Sequence, residues 1–293
     1  MFTVEIIIVC LAIVSFILYA GNRIIQDPPE NNPTDFLQNK QQFPEFANHK
    51  TRVLCIGDSI THGVLSCNYV DILKDRLGEE DFLFINAGIN GDTSWNILQR
   101  LEKIIQCEAD IIVILIGTND TNTPHRGKQF QKRVLMTKKL PQIPDETWFR
   151  NNLAQILKTL KKETNASLAI LSLPTIGEDL SDLMYSKTTS ASAIIHETAR
   201  EYQIKYLPLH ENMSSVLNQK PTTNPPPVEQ MEQIMMTSTF KHTVLGKDFD
   251  TISSKINFQY HSDHLHLNCK GAAMIADLIE PFILGINNGE RIE

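Results

Sequence analysis

Five short apolar segments alternate along this chain with segments whose apolar residues recur at helical spacing. The first and third short segments are apolar at every position, which is typical of strands buried on both faces of a parallel sheet. Strands that alternate with helices build a parallel sheet covered by helices on both faces. We therefore predict a three-layer α/β/α fold with five parallel strands. The predicted strands are 53–56, 82–86, 111–116, 168–173 and 205–209, and the predicted helices are 69–77, 93–107, 146–163, 191–202 and 272–284.

The first predicted strand ends in Gly57-Asp58-Ser59. These residues stop the strand and lift Ser59 beyond its carboxyl end, where open α/β sheets bind their ligands. Ser59 is therefore a candidate nucleophile, although the same residues in isolation also fit a turn that caps the next helix. Thr61 stands where a Gly-x-Ser-x-Gly elbow has its second glycine, and the sequence has no P-loop, so both of those motifs are excluded.

Three further polar segments follow predicted strands or precede the last helix, and together with Ser59 they supply the groups that acyl transfer needs. A serine hydroxyl becomes a good nucleophile when an imidazole takes its proton, and His266 is the candidate base. Asp263, three residues earlier, is placed to orient that imidazole. The Ser59 and Gly91 backbone N–H groups and the Asn119 side-chain amide are candidate donors to the oxyanion.

The four segments are Gly57-Asp58-Ser59, Asn90-Gly91-Asp92, Gly117-Thr118-Asn119-Asp120 and Asp263-x-x-His266. Taken together, they resemble the sequence blocks of the SGNH (GDSL-type) hydrolases, which are serine esterases and lipases. The resemblance implies a flavodoxin-like sheet with Ser59 as nucleophile, Gly91 and Asn119 in the oxyanion hole, Asp263 as orienting residue and His266 as base. The block around Gly91 is similar to that of the thioesterase I/lysophospholipase branch.

Two positions depart from the family pattern without removing a catalytic group. His264 stands where the family usually has glycine, and Leu267 where proline is common. His264 adds a second imidazole near the base, but the spacing favours His266. Gly88 is an alternative oxyanion donor.

The composition excludes several other classes of function. The chain has 293 residues and a net charge of −7, and no face rich in lysine or arginine is apparent, which argues against nucleic-acid binding. Its five cysteines lack metal-ligand spacing. The remaining histidines lack it as well. We expect no metal, no organic cofactor and no disulfide scaffold, and the redox compartment stays open.

The amino-terminal region differs from the rest of the chain. Residues 6–20 form an apolar run broken only by Ser15. Fifteen helical residues span about 22 Å against roughly 30 Å of hydrocarbon, so the run lies between a signal-peptide core and a full span. We expect residues 1–21 to be an uncleaved membrane anchor. The sequence does not indicate which side of the membrane carries the domain. A cleaved signal, giving a secreted or periplasmic protein, is the alternative, and a buried core helix is the third choice.

The remaining boundaries follow from composition. Residues 22–50 are rich in Asn, Gln, Pro and charge, and we expect a polar linker there. The hydrolase domain is expected over 51–286. It has two inserts, a basic loop at 121–145 and a longer one at 218–262, which is interpreted as a mobile surface excursion or as a lid over the acyl chain.

The sequence thus predicts a membrane-anchored serine hydrolase that cleaves a carboxylic ester or thioester through an acyl-Ser59 intermediate. Lipid-like acyl esters such as lysophospholipids are the expected substrates, because of the anchor and the apolar residues of the second insert. A carbohydrate or cell-wall O-acetylesterase is the alternative enzyme. A catalytically inactive, membrane-tethered binding module is the alternative of another class. The oligomeric state stays open.

Overall fold

The computed structural model describes residues 23–42 and 50–288. These contain a five-stranded sheet in which every paired strand is parallel to its neighbour. The strands are β1 (Thr51–Gly57), β2 (Phe82–Gly88), β3 (Ile111–Leu115), β4 (Ser167–Leu171) and β5 (Lys205–Leu207). Their order is β2-β1-β3-β4-β5. The flavodoxin-like order is therefore confirmed, and its switch point, where ligands bind, lies between the carboxyl ends of β1 and β3.

Helices and short helical turns join the strands. They are α1 (Pro33–Gln42), α2 (Ser59–His62), α3 (Tyr69–Leu77), α4 (Ser94–Gln99), α5 (Leu101–Gln106), α6 (Thr118–Asn122), α7 (Lys128–Thr137), α8 (Glu146–Glu163), α9 (Leu183–Glu201), α10 (Leu209–Gln219), α11 (Met231–Thr243), α12 (Phe249–Ser254) and α13 (Cys269–Asn287). Two 3₁₀ turns, Thr123–His125 and Val228–Gln230, precede α7 and α11.

Apolar side chains on the two faces of the sheet form two separate clusters. Along β1, Leu54 and Ile56 belong to one cluster, whereas Val53 and Cys55 belong to the other, as the pleat requires. Residues of α4, α5, α8 and α9 complete the first cluster, and residues of α3, α10 and α13 complete the second. Burial on both sides explains why this strand is apolar at successive positions, and it confirms the three-layer arrangement.

The predicted helix 93–107 is divided at Arg100 into α4 and α5. Arg100 has φ −119°, outside the helical range. Its guanidinium donates to Asp92 Oδ2 at 3.0 Å and to the Gly57 carbonyl at 3.1 Å. The break therefore places a partly buried cation behind the turn that carries Ser59, a contact that the helical periodicity does not reveal.

Both inserts are more ordered than the sequence predicts. The basic loop expected at 121–145 contains α7, and the excursion expected at 218–262 contains α11 and α12. The second insert packs on the domain through Met231, Phe249 and Ile252, which are all buried. The second insert is therefore structured and packed on the domain rather than an irregular excursion.

The expected polar linker also contains structure. Within 22–50, residues 33–42 form α1, whose Phe36 is fully buried. This side chain belongs to the cluster under α4 and α5. A tether free of the domain is therefore the wrong description for this stretch. The burial of one aromatic side chain, which typically stabilises by about 1.5–3 kcal/mol, explains the attachment.

A disulfide joins Cys67, between α2 and α3, to Cys269 at the start of α13. The two residues are 202 positions apart in the sequence, and nothing in their spacing indicates the pair. Cys55 and Cys107 are free and buried. The fold is thus not a disulfide scaffold, but one covalent link, which we did not expect, connects distant parts of it.

The expected membrane anchor, 1–21, lies outside the described residues. Within residues 23–42 and 50–288, the search for a helix with the length and apolar character needed to cross a bilayer finds none.

Candidate active site

The hydroxyl of Ser59 lies at the amino-terminal end of α2, just beyond β1, and faces the ring of His266. Ser59 Oγ and His266 Nε2 are 2.9 Å apart, and His266 Nδ1 lies 2.8 Å from Asp263 Oδ2. A carboxylate only accepts, so Nδ1 carries the proton and Nε2 accepts from the serine hydroxyl. The structure thus brings together three residues that span more than 200 positions of the chain.

The charges around the imidazole favour its protonated form. Burial by itself lowers the pKa of His266, but the Asp263 carboxylate and its hydrogen bond outweigh it and raise that pKa above the ordinary value. Burial likewise raises the pKa of Asp263, but His266 and the N–H groups of Leu265 and His266 hold it below the ordinary value. In this position the carboxylate can stabilise a positive charge on the imidazole ring.

The predicted oxyanion donors differ in their availability. In the described part of the chain, neither the Ser59 nor the Gly91 N–H has an acceptor. The Asn119 amide donates to the Asp92 carbonyl at 3.0 Å and to Asp58 Oδ2 at 3.3 Å. The alternative donor, Gly88, gives its N–H to Asn86 Oδ1 at 2.9 Å and is not available. Two backbone donors are thus free, and the amide must exchange a partner before it can bind an oxyanion.

Two glycines allow this geometry. A Cβ on Gly57 would overlap the Thr61 side chain and lie 2.6 Å from the Leu115 carbonyl oxygen, so a side chain here would prevent the turn that presents Ser59. Gly91 has φ +75°, a conformation that favours glycine, and its missing side chain faces the Lys138 side chain at 3.1 Å.

Lys138 belongs to the first insert, and sequence reasoning assigned it no role. Its ammonium donates to Asp92 Oδ1 at 2.8 Å, on the carboxylate whose other oxygen binds Arg100. Asp92 is nearly buried between the two cations, and its carbonyl holds the Asn119 amide. The segment after α7 therefore fixes the position of the predicted oxyanion hole.

Asp58 precedes the nucleophile and is fully buried beside it. Its Oδ1 accepts from the Ile60 N–H at 3.0 Å, which caps α2. Burial raises the pKa of Asp58 to about 7, against the lowering effect of that bond and of His266. The expectation that Asp58 braces a turn agrees with this contact.

The segment 261–267, which carries Asp263 and His266, is a closed hairpin. His261 and Leu267 form an antiparallel bridge, and the Ser262 N–H donates to the His266 carbonyl at 2.8 Å. The second insert supports the hairpin from outside, because Ser238 of α11 donates to the Ser262 carbonyl at 2.9 Å and Ser253 of α12 donates to the His261 carbonyl at 2.7 Å. The second insert thus contacts the hairpin of Asp263 and His266 directly.

A buried pair of Glu178 and His261 holds the start of the same hairpin. Glu178 accepts from His261 Nδ1 at 3.0 Å and from the N–H groups of Gln259, Tyr260 and His261. Burial raises the pKa of Glu178, but the bonds from His261, Thr222 and the backbone outweigh it and lower that pKa to about 2. His261 Nε2 lies 2.8 Å from the Thr175 carbonyl, so both of its nitrogens face acceptors. Sequence reasoning assigned no role to Glu178.

His264 lies in the same hairpin but does not reach the serine. It is 2% exposed, and neither ring nitrogen has a hydrogen-bond partner among the described residues. Its ring contacts Phe258 edge-on at 5.0 Å. Burial, with the charge of His261, lowers the pKa of His264 to about 4. His266, and not His264, is therefore the imidazole placed as a base.

The comparisons with known proteins bear on this arrangement. Residues 55–274 match the family described as GDSL-like Lipase/Acylhydrolase family. The chain belongs to this family. An arylesterase of Vibrio mimicus is 26% identical over 166 residues, which cover 54% of this chain and 70% of that protein. The family assignment makes the protein an esterase or acylhydrolase.

Solved structures show the same GDSL-type fold. An acetyl xylan esterase, AlAXEase, has a TM-score of 0.55 and 18% identity, covering 79% of this chain and 99% of that one. A GDSL-like lipase from Bacteroides thetaiotaomicron has a TM-score of 0.55 and 18% identity, covering 87% and 98%. At this identity, the likeness concerns the fold alone.

A cavity of about 1120 Å³ lies near the hairpin 261–267. The described residues that line it include no member of the serine, histidine and aspartate set, but Met184 and Met231 line it and form one apolar cluster with Leu265, the neighbour of His266. Asn122, one turn after Asn119 on α6, lines it as well. The cavity is therefore connected to the hairpin of His266 through Leu265 and to the helix of Asn119 through Asn122.

The described residues hold no group of three or more His, Cys, Asp or Glu side chains arranged to bind a metal ion.

Proposed function

We propose that the protein hydrolyses carboxylic esters or thioesters by a Ser59–His266–Asp263 mechanism, acting on lipid-like acyl esters such as lysophospholipids. The observation that carries the proposal is the unbroken chain of hydrogen bonds from Ser59 Oγ through His266 to Asp263. Because Nδ1 faces Asp263, Nε2 is the nitrogen that can take the proton of Ser59, and the raised pKa of His266 favours the imidazolium that results.

The mechanism follows from this geometry. His266 Nε2 takes the Ser59 proton while Oγ bonds to the acyl carbon, and the carbonyl oxygen gains a negative charge that the Ser59 and Gly91 N–H groups and the Asn119 amide stabilise. Collapse breaks the bond to the leaving group, which takes the proton from His266. Water then gives its proton to His266 and attacks the acyl-Ser59 ester, which releases the carboxylic acid and restores the serine.

A fluorophosphonate probe tests the serine mechanism against the inactive binding module. We expect the wild-type chain to be labelled on Ser59, and Ser59→Ala to remain unlabelled. If the two chains label equally, or neither does, the enzyme proposal fails.

The substrate class needs a separate test. A series of p-nitrophenyl esters of increasing acyl length compares the lipid proposal with the O-acetylesterase alternative. If kcat/KM is highest for esters with medium or long acyl chains, the lipid proposal is supported. A strong preference for acetate contradicts it and favours the alternative.

We also propose that residues 1–21 anchor the protein to a membrane, with the hydrolase domain on the oxidising side. The apolar run at 6–20 supports the anchor. The Cys67–Cys269 disulfide supports the side, because such bonds persist in oxidising compartments. Alkylation of cysteines in intact cells, before and after reduction, tests this: free Cys67 and Cys269 thiols in untreated cells contradict it.

A further inference from the structure

The segment before α1, residues 24–32, contacts the edge of the sheet. β2 is an edge strand, since the strand order begins with it, and an edge strand has one row of backbone N–H and C=O groups that no other strand pairs. Asn31 contacts this row twice: its carbonyl accepts from the Asn86 N–H at 3.3 Å, and its side-chain amide donates to the Phe84 carbonyl. Residues 24–32 are therefore attached to β2 shortly before the strand ends.

A second contact joins this segment to the oxyanion loop, residues 89–93. Asn90 Nδ2 donates to the Ile25 carbonyl at 2.6 Å. Asn90 Oδ1 is buried without a partner, so the Ile25 carbonyl is the one hydrogen-bond partner of this side chain among the described residues. The Gly91 N–H, a candidate oxyanion donor, belongs to the peptide group that joins Gly91 to Asn90. A bond that fixes Asn90 therefore restricts the direction in which this N–H points.

A third contact joins the segment to the nucleophile turn, residues 57–62. His62 Nε2 lies 2.9 Å from the Asp27 carbonyl. A carbonyl only accepts, so Nε2 carries the proton and donates it to this bond. The side chain is buried, and its Nδ1 has no partner in the part of the chain that the structure describes. Because α2 begins at Ser59 and ends at His62, the contact lies about one helical turn from the nucleophile.

The nucleophile turn and the oxyanion loop are also bonded to each other. Asn86 Nδ2, at the end of β2, donates to the Thr61 carbonyl at 2.8 Å. The Ile89 N–H donates to the Gly57 carbonyl at 3.2 Å. The turn and the loop thus form one hydrogen-bonded unit, and the segment before α1 binds to both parts of it.

We propose that residues 24–32 position the nucleophile turn and the oxyanion loop through His62 and Asn90, and that the rate of hydrolysis depends on these contacts. The inference rests on the proposed function, because it takes ester hydrolysis at Ser59 as the reaction. His62 and Asn90 act through their neighbours and are positioning residues. A misplacement of reacting groups by about 1 Å can cost about 10²-fold in rate. The segment lies outside residues 55–274, which match the family, so the family match does not include it.

The test measures the hydrolysis of a soluble p-nitrophenyl ester by full-length variants. His62→Leu and Asn90→Ala each remove one donor, and the double variant removes both. We expect kcat of the double variant to fall by about 10- to 100-fold with little change in KM, because oxyanion donors act on the transition state. Asn90→Ala alone leaves α2 unchanged and should lower kcat by a smaller factor. If the double variant does not fold, this single variant decides.

Two further variants separate the bonds to the segment from a general loss of packing. His62→Gln keeps a donor near the position of Nε2 and should retain most of the activity that His62→Leu loses. The matched control is Lys161→Met, which removes another side-chain bond to a backbone carbonyl, that of Tyr202, at the edge of the sheet where β4 begins. This control should leave kcat unchanged. Equal losses in His62→Gln and His62→Leu, or in the control and the double variant, would overturn the proposal.

Hydrogen exchange followed by mass spectrometry reports whether the segment detaches. The Asn86 amide, which donates to Asn31 in the wild type, should exchange faster in the double variant. A lower kcat with unchanged exchange would mean that His62 and Asn90 act without the segment, and it would overturn the proposal. An unchanged kcat would overturn it as well. If the wild type neither hydrolyses the ester nor reacts with the fluorophosphonate probe, the proposed function fails together with this inference.

Discussion

Asn119 has two acceptors in the resting structure, the Asp92 carbonyl and, at the longer distance of 3.3 Å, the Asp58 carboxyl group. The longer bond is the one a substrate oxygen can replace, because the Asp92 carbonyl is fixed by the cations on the same residue. On the proposed mechanism Asn119 would bind the oxyanion, while the resting protein satisfies its amide internally.

We predict that Asn119→Ala lowers kcat by about 10²–10³-fold with little change in KM, the usual result of removing one oxyanion donor. Steady-state kinetics on a p-nitrophenyl ester measures it. Asn218→Ala, on the exposed end of α10, is the control and should behave as wild type. A change in KM alone would mean that Asn119 binds the ground state.

Glu178 has a larger structural role than its sequence context indicates. We predict that Glu178→Gln lowers the free energy of unfolding by about 3–5 kcal/mol, because it removes the buried negative charge beside His261 and turns one acceptor oxygen into an NH2 group that faces other donors. Urea unfolding of the two proteins measures this. Glu163→Gln, which breaks the exposed pair with Lys162, should have a far smaller effect on stability. Equal effects of the two substitutions would contradict the buried-pair assignment.

Sequence motifs indicate the candidate catalytic residues, but they do not indicate the residues that hold them in position. Ser59, Asp263 and His266 follow a known order of short motifs. Glu178 contacts residues 81 to 83 positions away, and Lys138 contacts Asp92 across 46. Such partners are defined by the packing of loops in three dimensions, and no local pattern records it.

At the scale of elements, the strands could be predicted because burial on both faces leaves uninterrupted apolar runs. The inserts could not. None of the residues of α7 is buried, and its apolar stripe, Phe130 and Val134, is too short to distinguish a helix from a basic loop. The amide and carboxylate caps of other helices, such as Asp145 for α8, do have a local signal, and there the predicted range is confirmed.

The disulfide connects the segment that follows Ser59 to the segment that follows His266. Cys67 follows the segment of Ser59, and Cys269 follows the hairpin of His266. The Cys67 N–H and the Ser66 hydroxyl both donate to the Leu267 carbonyl, at 2.9 and 3.1 Å. The segments that carry Ser59 and His266 are thus connected through a short path of covalent and hydrogen bonds.

We predict that Cys67→Ser/Cys269→Ser lowers the free energy of unfolding by about 2–5 kcal/mol, the usual cost of losing a native disulfide. Denaturant unfolding measures this. A reducing agent should lower the stability of the wild type by the same amount and leave the variant unchanged. If the reducing agent destabilises both proteins equally, the bond is not the cause.

At the scale of the whole molecule, buried titratable groups of opposite sign make stability depend on pH. The pKa of His264, about 4, lies below its ordinary value of 6.5. Between pH 6.5 and 4 the unfolded chain therefore binds a proton that the folded chain does not, and stability falls as the pH falls. Asp58 and Asp120, whose pKa values burial raises to about 7 and about 6, act in the opposite direction.

Because these contributions overlap, the test is a difference between two proteins. We predict that His264→Gln removes the acid-sensitive part, so that the free energy of unfolding of the wild type falls relative to the variant by up to about 3 kcal/mol between pH 6.5 and 4. Urea unfolding at several pH values measures this. A constant difference across that range would contradict the buried, neutral state of His264.

The central claim is that Ser59 carries the acyl group during turnover. The most direct measurement is the mass of the intact protein and of its peptides, quenched in acid within the first turnover of a p-nitrophenyl ester. We predict one acyl group per molecule, located on the peptide that contains Ser59, and none in Ser59→Ala. An acyl group on another residue, or hydrolysis by Ser59→Ala at the wild-type rate, would contradict the account.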